Sequence, residues 1–257
     1  MAFRRSFSST IFGVQPKGTL GTFAYRVYLT NKSTSTLHDL SFWHSIPLKP
    51  LLEGSSANLF HYVNEIPYAT HKKMEICTTE KDNPIKQDVK KGELRVFTYG
   101  PIPFNYGCLP QTWEDPMWIE PSTQVGGDSD PIDVVEISNA KLEIGEVDVV
   151  KVLGILALLD EGETDWKVVA ISKKSELFSK LNHIEDVDLH LPGMLHTIRE
   201  WFRLYKTADG KPENKFGLDE KFMNADFAIR VINETHHALK RLLTSKTETK
   251  FWKPKIF

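Results

Sequence analysis

The amino-acid sequence predicts an α+β protein, with strands up to residue 171 and helices beyond residue 191. Two observations predict this fold class. Short segments rich in β-branched and aromatic residues are separated by Gly, Pro and Asn, a pattern typical of strands joined by turns. Later in the chain the apolar residues recur at helical spacing instead. Because no helical segment lies between the strands, an antiparallel or barrel arrangement is favoured over a doubly wound sheet.

The predicted strands follow one another closely in the chain. They are residues 23–29, 74–76, 94–97, 132–137, 147–159 and 166–171. The strand at 147–159 is the longest apolar run, and Asp148, Lys151 and Gly154 interrupt it. A membrane span needs about 20 apolar residues. We therefore predict that this segment is a buried strand and that the protein has no membrane partner.

Two helices are predicted after the strands. Residues 192–206 carry Leu195, Ile198, Trp201 and Tyr205 at helical spacing. Asn224 is the predicted N-cap of a last helix. The apolar stripe of that helix is Phe227/Ala228, Val231/Ile232, Ala238/Leu239 and Leu242/Leu243. We assign these stripes to packing and not to chemistry.

Composition excludes several classes of protein. Apolar residues are 40% of the 257, enough for a sizeable core. The 32 basic and 34 acidic residues give a formal charge of −2, whereas a nucleic-acid or membrane-surface binder needs a basic excess. Cys77 and Cys108 are too few for a disulfide framework and suit a reducing compartment. We predict a cytoplasmic protein without a nucleic-acid partner.

The N-terminal segment leaves a second compartment open. Residues 1–38 contain no Asp or Glu, and the chain opens Phe3-Arg-Arg-Ser-Phe-Ser-Ser-Thr10. This composition is typical of an organelle transit peptide, and the other interpretation is an irregular surface tail. We predict an irregular tail over residues 1–22 with a short transit segment as the alternative, one domain over 23–245, and a C-terminal tail over 246–257. Mitochondrial localisation is the alternative to cytoplasmic.

The chemistry is expected at Gly126-Gly-Asp128-Ser-Asp130-Pro-Ile-Asp133. In an extended backbone Asp128 and Asp130 point to one side, and a turn at Pro131 brings Asp133 to the same side. Carboxylates about 7 Å apart repel by roughly 2 kcal/mol at an effective dielectric constant of 20. Such a group is stable only around a cation or in water, so a solvated acidic loop is the alternative. The spacing does not fit an EF-hand loop, because the third acid is at position 6.

A second acidic segment is Asp160-Glu-Gly-Glu-Thr-Asp165, between two apolar strands. It is either a polar turn or a second source of ligands for the same cavity. Carboxylates without nearby Cys or His favour hard cations such as Mg²⁺. Lys73, Arg95, Lys167 and Lys206 are candidate cations. Each could be an ordinary ion pair, but together they would hold a small polyanion bridged to the carboxylates by metal ions.

Several blocks together resemble the soluble family I inorganic pyrophosphatases of eukaryotic type. They are Asn105-Tyr-Gly107 with Pro110-Gln-Thr-Trp-Glu-Asp-Pro116, Asp128-Ser-Asp130-Pro-Ile-Asp133-Val, Leu159-Asp-Glu-Gly-Glu-Thr-Asp-Trp-Lys167, Glu200-Trp-Phe-Arg-Leu-Tyr-Lys206 and Asp209-Gly-Lys-Pro-Glu-Asn214. The resemblance runs from about residue 23 to about residue 245. It implies a compact five-stranded, OB-like β-barrel with packed helices, and Mg²⁺-dependent hydrolysis of inorganic diphosphate.

The resemblance also implies a role for each matching residue. The implied metal ligands are Asp128, Asp133 and Asp165, then Asp160 with Asp165 for further Mg²⁺, and Glu75 near that set. Asp130 is the implied general base, which accepts a proton from the attacking water. The implied phosphate contacts are Arg95, Lys73, Lys206 and Tyr205, of which Arg95 and Tyr205 also serve catalysis. Lys167 and Tyr106 complete the catalytic set, and Glu65 lies beside it.

Two departures from the family pattern bear on function. The stretch between Arg95 and Asn105 is about four residues short and lacks the family's usual Tyr at the leaving phosphate. Tyr99 is a candidate substitute, although the register does not assign it to that place. Tyr68-Ala69 replaces an Arg-Trp pair tied to dimer contact, so a homodimer rests on the resemblance alone. A catalytically weak paralogue that acts as a structural or assembly partner is therefore the alternative function. A phosphate-binding OB module for nucleic acid is disfavoured by the charge of −2.

Overall fold

The computed structural model describes residues 11–32, 40–51, 58–245 and 249–254. Within them the strands are β1 Phe12–Lys17, β2 Arg26–Asn31, β3 Leu59–Ile66, β4 Met74–Ile76, β5 Ile85–Gln87, β6 Val89–Lys90, β7 Glu93–Leu94, β8 Asn105–Cys108, β9 Asp133–Glu136, β10 Val147–Asp160, β11 Glu163–Ser172, β12 Lys215–Phe216 and β13 Met223–Asn224. The α-helices are α1 Glu185–His190, α2 Met194–Leu204 and α3 Ala225–Thr244. None of these helices is long and apolar enough to cross a membrane.

Five strands close into a ring. Following the hydrogen-bonded neighbours, β3 pairs with β8, β8 with β9, β9 with β11, β11 with β10, and β10 again with β3. Every pair is antiparallel except β9 with β11, which is parallel. A four-stranded sheet of β1, β2, β5 and β4 lies outside the ring. The predicted α+β class and five-stranded OB-like barrel are confirmed.

The long strand β10 is buried along almost its whole length, as predicted. Its two buried charged residues, Asp148 and Lys151, have partners that make their burial tolerable. The Lys151 ammonium donates to the carbonyl oxygens of Phe178 and Leu181, and Asp148 accepts from the Ser172 hydroxyl at 2.6 Å. β10 joins β11 through Glu161 and Gly162, with φ of 51° and 94°. Positive φ at both central residues is what a two-residue hairpin loop of type I′ requires.

Strands β3 and β8 were not predicted, although both belong to the ring. All eight residues of β3 are buried, including His61, Asn64 and Glu65. Their polar atoms are satisfied by groups distant in the chain, as where Glu65 Oε1 accepts from the Ile76 amide at 2.6 Å. Polar residues that are buried in this way break the alternation by which a strand is predicted.

The predicted terminal tails need correction. Residues 12–17, expected to be irregular, form β1 and pair with β2 over six residue pairs. Near the other end, Phe251 packs edge-on against Trp43 and Trp113, and the Trp252 amide donates to the Thr78 carbonyl at 2.9 Å. Both segments therefore contact the predicted 23–245 domain. The predicted transit segment at residues 3–10 lies outside the described residues.

The predicted helices are confirmed as α2 and α3, and α1 was not predicted. Asn224 caps α3, because its Oδ1 accepts from the Phe227 amide at 3.0 Å. The predicted strand at 94–97 is wrong beyond Leu94, since only a single bridge from Val96 to Lys72 continues the pairing. Arg95 therefore lies beside a strand and not within one.

Candidate active site

One cavity, of about 140 Å³, has a strongly charged wall. Every residue predicted to be catalytic, substrate-binding or metal-binding lines it. The lining residues are Glu65, Ile66, Lys73, Met74, Glu75, Ile76, Arg95, Tyr106, Cys108, Asp128, Asp130, Pro131, Asp133, Asp160, Asp165, Lys167, Tyr205 and Lys206. The structure thus brings the predicted set together, while the role of each residue stays a prediction.

A second cavity is larger, at about 480 Å³, but its chemistry differs. Aromatic side chains such as Trp113, Trp118 and Trp166 line it, and none of the predicted site residues does. It adjoins the first cavity, because Gly127 and Thr164, the chain neighbours of Asp128 and Asp165, form part of its wall. Charge and not size therefore identifies the candidate site.

The parallel pairing of β9 with β11 brings Lys167 together with Asp133 and Asp165 in the charged cavity. Lys167 lies opposite Asp133 in the register, and Asp165 shares its face of β11 because residues two apart point the same way. The Lys167 ammonium is 2.6 Å from Asp133 Oδ2, donates to the Tyr106 hydroxyl at 2.8 Å, and bonds Asp165. Burial opposes the charge on Lys167, but Asp133 and Asp165 outweigh it and raise its pKa well above the ordinary value.

The acidic loop before β9 is folded more tightly than predicted. Ser129 has a φ of 75°, so the backbone between Asp128 and Asp130 is not extended. The Asp130 amide donates to Asp128 Oδ1 at 2.9 Å instead. At Gly126 a Cβ would lie 2.2 Å from the Pro116 carbonyl oxygen, so only glycine permits this close approach. Asp128, Asp130 and Asp133 nevertheless face one cavity, as predicted.

Other cations of the cavity wall also pair with carboxylates. Lys206 bonds Asp160, and the Tyr205 hydroxyl donates to Asp160 Oδ2 at 3.2 Å. The Lys73 ammonium is 2.7 Å from Glu75 Oε2. A bound anion would therefore compete with carboxylates for these donors.

Asp88 is a site neighbour that sequence reasoning missed. Its Oδ2 lies 3.0 Å from Arg95 Nη1 and 3.4 Å from Lys73 Nζ, so it holds both cations at the cavity. No sequence signal distinguished it from an ordinary turn residue between β5 and β6. Tyr99, in contrast, is exposed and does not line the cavity.

The cavity strongly perturbs its carboxyl groups. Burial and the charge of Asp165 raise the pKa of Asp128 well above its usual value. Burial raises the pKa of Asp165 to about 7 even though Lys167 acts in the opposite direction. Asp130 has an exposed edge, yet the surrounding protein removes enough water that desolvation, with Glu75, raises its pKa to about 7. Without a cation, these groups therefore retain protons near neutral pH.

Glu114 is the second residue that was missed. One carboxylate oxygen each from Glu114, Asp128 and Asp165 lie within 4.8 Å of one another. At an effective dielectric constant near 20, each ionised pair at that distance repels by about 3.5 kcal/mol. The donors are all carboxylate oxygens, which fits a hard divalent cation. Glu114 belongs to the 110–116 block, one of the blocks on which the family resemblance rests. That block alone did not indicate that Glu114 lies beside Asp128 and Asp165.

The titration of these carboxyl groups predicts how pH affects the metal-free protein. Their pKa is higher in the folded state than in the unfolded state. Their contribution to the stability of the fold is therefore fully present below the unfolded-state pKa of about 4. It is lost as pH rises through about 7. In chelator, we expect the melting temperature to decrease as the pH is raised from 5 to 8. We expect added Mg²⁺ to raise the melting temperature more at pH 8 than at pH 5. Calorimetry at both pH values measures this.

Asp165→Asn should flatten that pH dependence. Glu80→Gln is the matched control, because Arg26 lowers the pKa of Glu80 to about 2, below the tested range. If Mg²⁺ stabilises the protein equally at pH 5 and pH 8, the raised carboxyl pKa values are not coupled to metal binding.

Fold and cavity together define a class of protein: an OB-like barrel whose wall carries carboxylates for divalent cations and Lys, Arg and Tyr donors for a small anion. Comparison with known proteins identifies the family. The profile described as "Inorganic pyrophosphatase" matches residues 62–240. The inorganic pyrophosphatase of Schizosaccharomyces pombe is 47% identical over 237 residues, which are 91% of this chain and 80% of that protein. This chain belongs to the inorganic pyrophosphatase family.

Solved structures agree with this assignment. The type I inorganic pyrophosphatase from Toxoplasma gondii has a TM-score of 0.86 and 43% identity, and the match covers 91% of this chain and 100% of that one. The N-terminally truncated vacuolar soluble pyrophosphatase of Trypanosoma cruzi, solved in complex with PPi, has a TM-score of 0.84 and 41% identity, with 90% of each chain covered. The predicted family is confirmed.

Proposed function

We propose that this chain hydrolyses inorganic diphosphate to two orthophosphates with Mg²⁺ as cofactor. The observation that carries the proposal is that carboxylates and Lys, Arg and Tyr donors line one small cavity together. Diphosphate and water do not react readily, because the phosphate oxygens repel an incoming nucleophile. The Lys and Arg side chains, together with the divalent cations that the carboxylates would hold, would offset that repulsion.

The carboxylates would hold the cations in two groups. Asp128, Asp133 and Asp165 would hold those on the side of the attacking water, and Asp160 with Asp165 those that arrive with substrate, near Glu75. When bound, divalent cations neutralise phosphate oxygens and lower the pKa of water. Lys167 bonds Asp133 and Asp165 in the described structure and so fixes the orientation of both carboxylates. The Tyr106 hydroxyl bonds Asp133 as well.

Asp130 would act as the general base. A base works best with a pKa near the operating pH, and the pKa of Asp130 is raised to about 7. Its side chain is accessible from the cavity mouth, and its backbone amide is fixed by Asp128. It would accept the proton of the attacking water, while Lys73, Arg95, Tyr205 and Lys206 donate hydrogen bonds to the phosphates. Arg95 and Tyr205 would stabilise the charge that develops on the leaving phosphate.

Release of orthophosphate from diphosphate tests the function. We expect turnover with Mg²⁺, none in excess chelator, and much slower release from ATP, whose nucleoside has no complementary wall in this cavity. Absence of Mg²⁺-dependent release would contradict the proposal. The short loop between Arg95 and Asn105 motivated the alternative, a catalytically weak paralogue, and the similarity to inorganic pyrophosphatases does not favour it. Tight diphosphate binding without turnover would support it.

Assembly and compartment stay predictions. We propose a homodimer, although Tyr68 and Ala69 stand where relatives carry the contact pair; light scattering measures the mass directly. We propose cytoplasmic localisation. Mitochondrial localisation is the alternative, and its basis is the acid-free N-terminal composition. Sequencing the mature N-terminus from cells distinguishes the two.

A further inference from the structure

Glu114 has a buried carboxylate oxygen without a partner. The residue is only 2% exposed. Its Oε1 accepts from the Trp166 amide at 3.0 Å, whereas Oε2 has no hydrogen-bond partner among the described residues. Buried polar atoms in folded proteins are nearly always paired, and an unpaired one is destabilising, more so when it is charged. The unpaired Glu114 Oε2 therefore indicates that a ligand binds at this oxygen.

Backbone contacts fix Glu114 against the acidic loop. Its amide donates to the Asp130 carbonyl at 2.9 Å, and its carbonyl accepts from the Ser129 amide at 3.0 Å. At Gly127 a Cβ would lie 2.6 Å from the Glu114 carbonyl carbon, so the two segments are in direct contact. The carboxylate is thus held in place before any ligand arrives, which is how well-ordered metal sites are built.

The surroundings of the Glu114 carboxylate are acidic. A Glu114 oxygen lies within 4.8 Å of oxygens from Asp128 and Asp165. Asp165 is paired with Lys167, but no Lys or Arg of the described residues forms an ion pair with Glu114. Glu114 does not line the charged cavity; it lies behind Asp128 and Asp165, where it lines the larger cavity.

We propose that Glu114 supplies a further carboxylate to a hard divalent cation held at Asp128 and Asp165, from behind the wall of the charged cavity. This inference rests on the proposed metal-dependent function and adds a residue to it. Oxygens on opposite sides of Mg²⁺ are about 4 Å apart, and about 5 Å apart around Ca²⁺. Adjacent oxygens around Mg²⁺ are only about 3 Å apart, so three oxygens within 4.8 Å of one another would share one ion after side-chain movements of about 1 Å.

The competing explanation is that Glu114 is only structural, as a neutral acid that accepts from Trp166. Glu114→Gln separates the two. Glutamine has the same shape, keeps an acceptor oxygen for the Trp166 amide, and removes the negative charge and the second oxygen. Asp115→Asn is the matched control, because Asp115 is the next residue, accepts from the Met117 amide at 2.9 Å, and is not part of the three-carboxylate cluster.

The experiment titrates full-length, chelator-treated protein with Mn²⁺ at pH 8 without diphosphate, and measures free Mn²⁺ by electron paramagnetic resonance. We expect E114Q to bind Mn²⁺ about 10–100-fold more weakly and D115N to bind it like the parent. In E114Q/D128N the two losses should be less than additive, because residues that share one ion are coupled. If E114Q does not fold, Glu114→Asp keeps the charge but withdraws the oxygen, and weaker binding is again expected.

Unchanged Mn²⁺ affinity in E114Q, or an equal loss in D115N, would overturn the role of Glu114. That result is distinguishable from failure of the proposed function. A parent protein that binds no Mn²⁺ and releases no orthophosphate contradicts the function itself. A parent that does both, beside an E114Q that binds Mn²⁺ equally well, contradicts only the inference about Glu114.

Discussion

Asp130→Asn is expected to lower kcat for diphosphate hydrolysis by about 10²–10⁴-fold, the usual contribution of a general base. Asparagine cannot accept the proton of the attacking water, so the effect should appear in the chemical step. Metal affinity should change little, because Asp130 lies at the cavity mouth and is assigned to the base and not to the ligands. Steady-state kinetics, with Mn²⁺ binding measured in parallel, checks both statements.

The pH profile supplies a second readout for Asp130. In the parent, activity should rise with pH as the base loses its proton, and bound cations will move that limb below the metal-free value of about 7. In D130N the limb should disappear. Asp219→Asn is the control, since the Asp219 side chain is 87% exposed, pairs with the exposed Lys221 and does not line the charged cavity. A D130N variant with parental kcat would remove Asp130 from the mechanism.

Lys167→Met is expected to lower the free energy of unfolding of the metal-free protein at pH 8 by about 3–5 kcal/mol, the range for breaking a buried ion pair. The Lys167 side chain is 2% exposed and is the cation between Asp133 and Asp165. Its loss leaves two carboxylates facing each other without a counter-charge. Saturating Mg²⁺ should recover much of the loss, because the added cation replaces the missing charge. Urea unfolding with and without Mg²⁺ measures this.

Lys174→Met is the matched control for burial. Lys174 also bonds two carboxylates, Glu146 at 2.8 Å and Asp148 at 3.5 Å, but its side chain is 54% exposed. An exposed pair contributes less than about 1 kcal/mol, so K174M should change stability little and show no rescue by Mg²⁺. Equal losses in the two variants would mean that burial does not govern the strength of the Lys167 pairs.

Sequence reasoning predicted the chemistry of the site better than the strands that support it. The acidic motif is contiguous in the chain, and its residue types indicate a cation site before any fold is known. β3 and β8 escaped prediction because buried Asn64 and Asn105 break their apolar pattern. The partner of Asn105 is Glu136, 31 residues away, and such pairs become favourable only once the ring has closed.

The two missed site residues have the same explanation. Asp88 matters because folding places it against Lys73 and Arg95, and Glu114 matters because folding brings its carboxylate close to those of Asp128 and Asp165. Neither carries a local signal, since an isolated acid in a turn is ordinarily solvated. The deviation at Ser129 is similar: an αL residue other than Gly is uncommon, so extended backbone was the better expectation.

The closed ring has a consequence for how the site moves. β9 and β11, which carry Asp133, Asp165 and Lys167, each have hydrogen-bonded neighbours on both edges, so neither can fray from a free edge. Their amide protons should be among the slowest in the molecule to exchange with deuterium. Substrate and ions then enter and leave a cavity whose strands stay rigid. Any conformational change on binding occurs in the side chains and in the loops around the cavity.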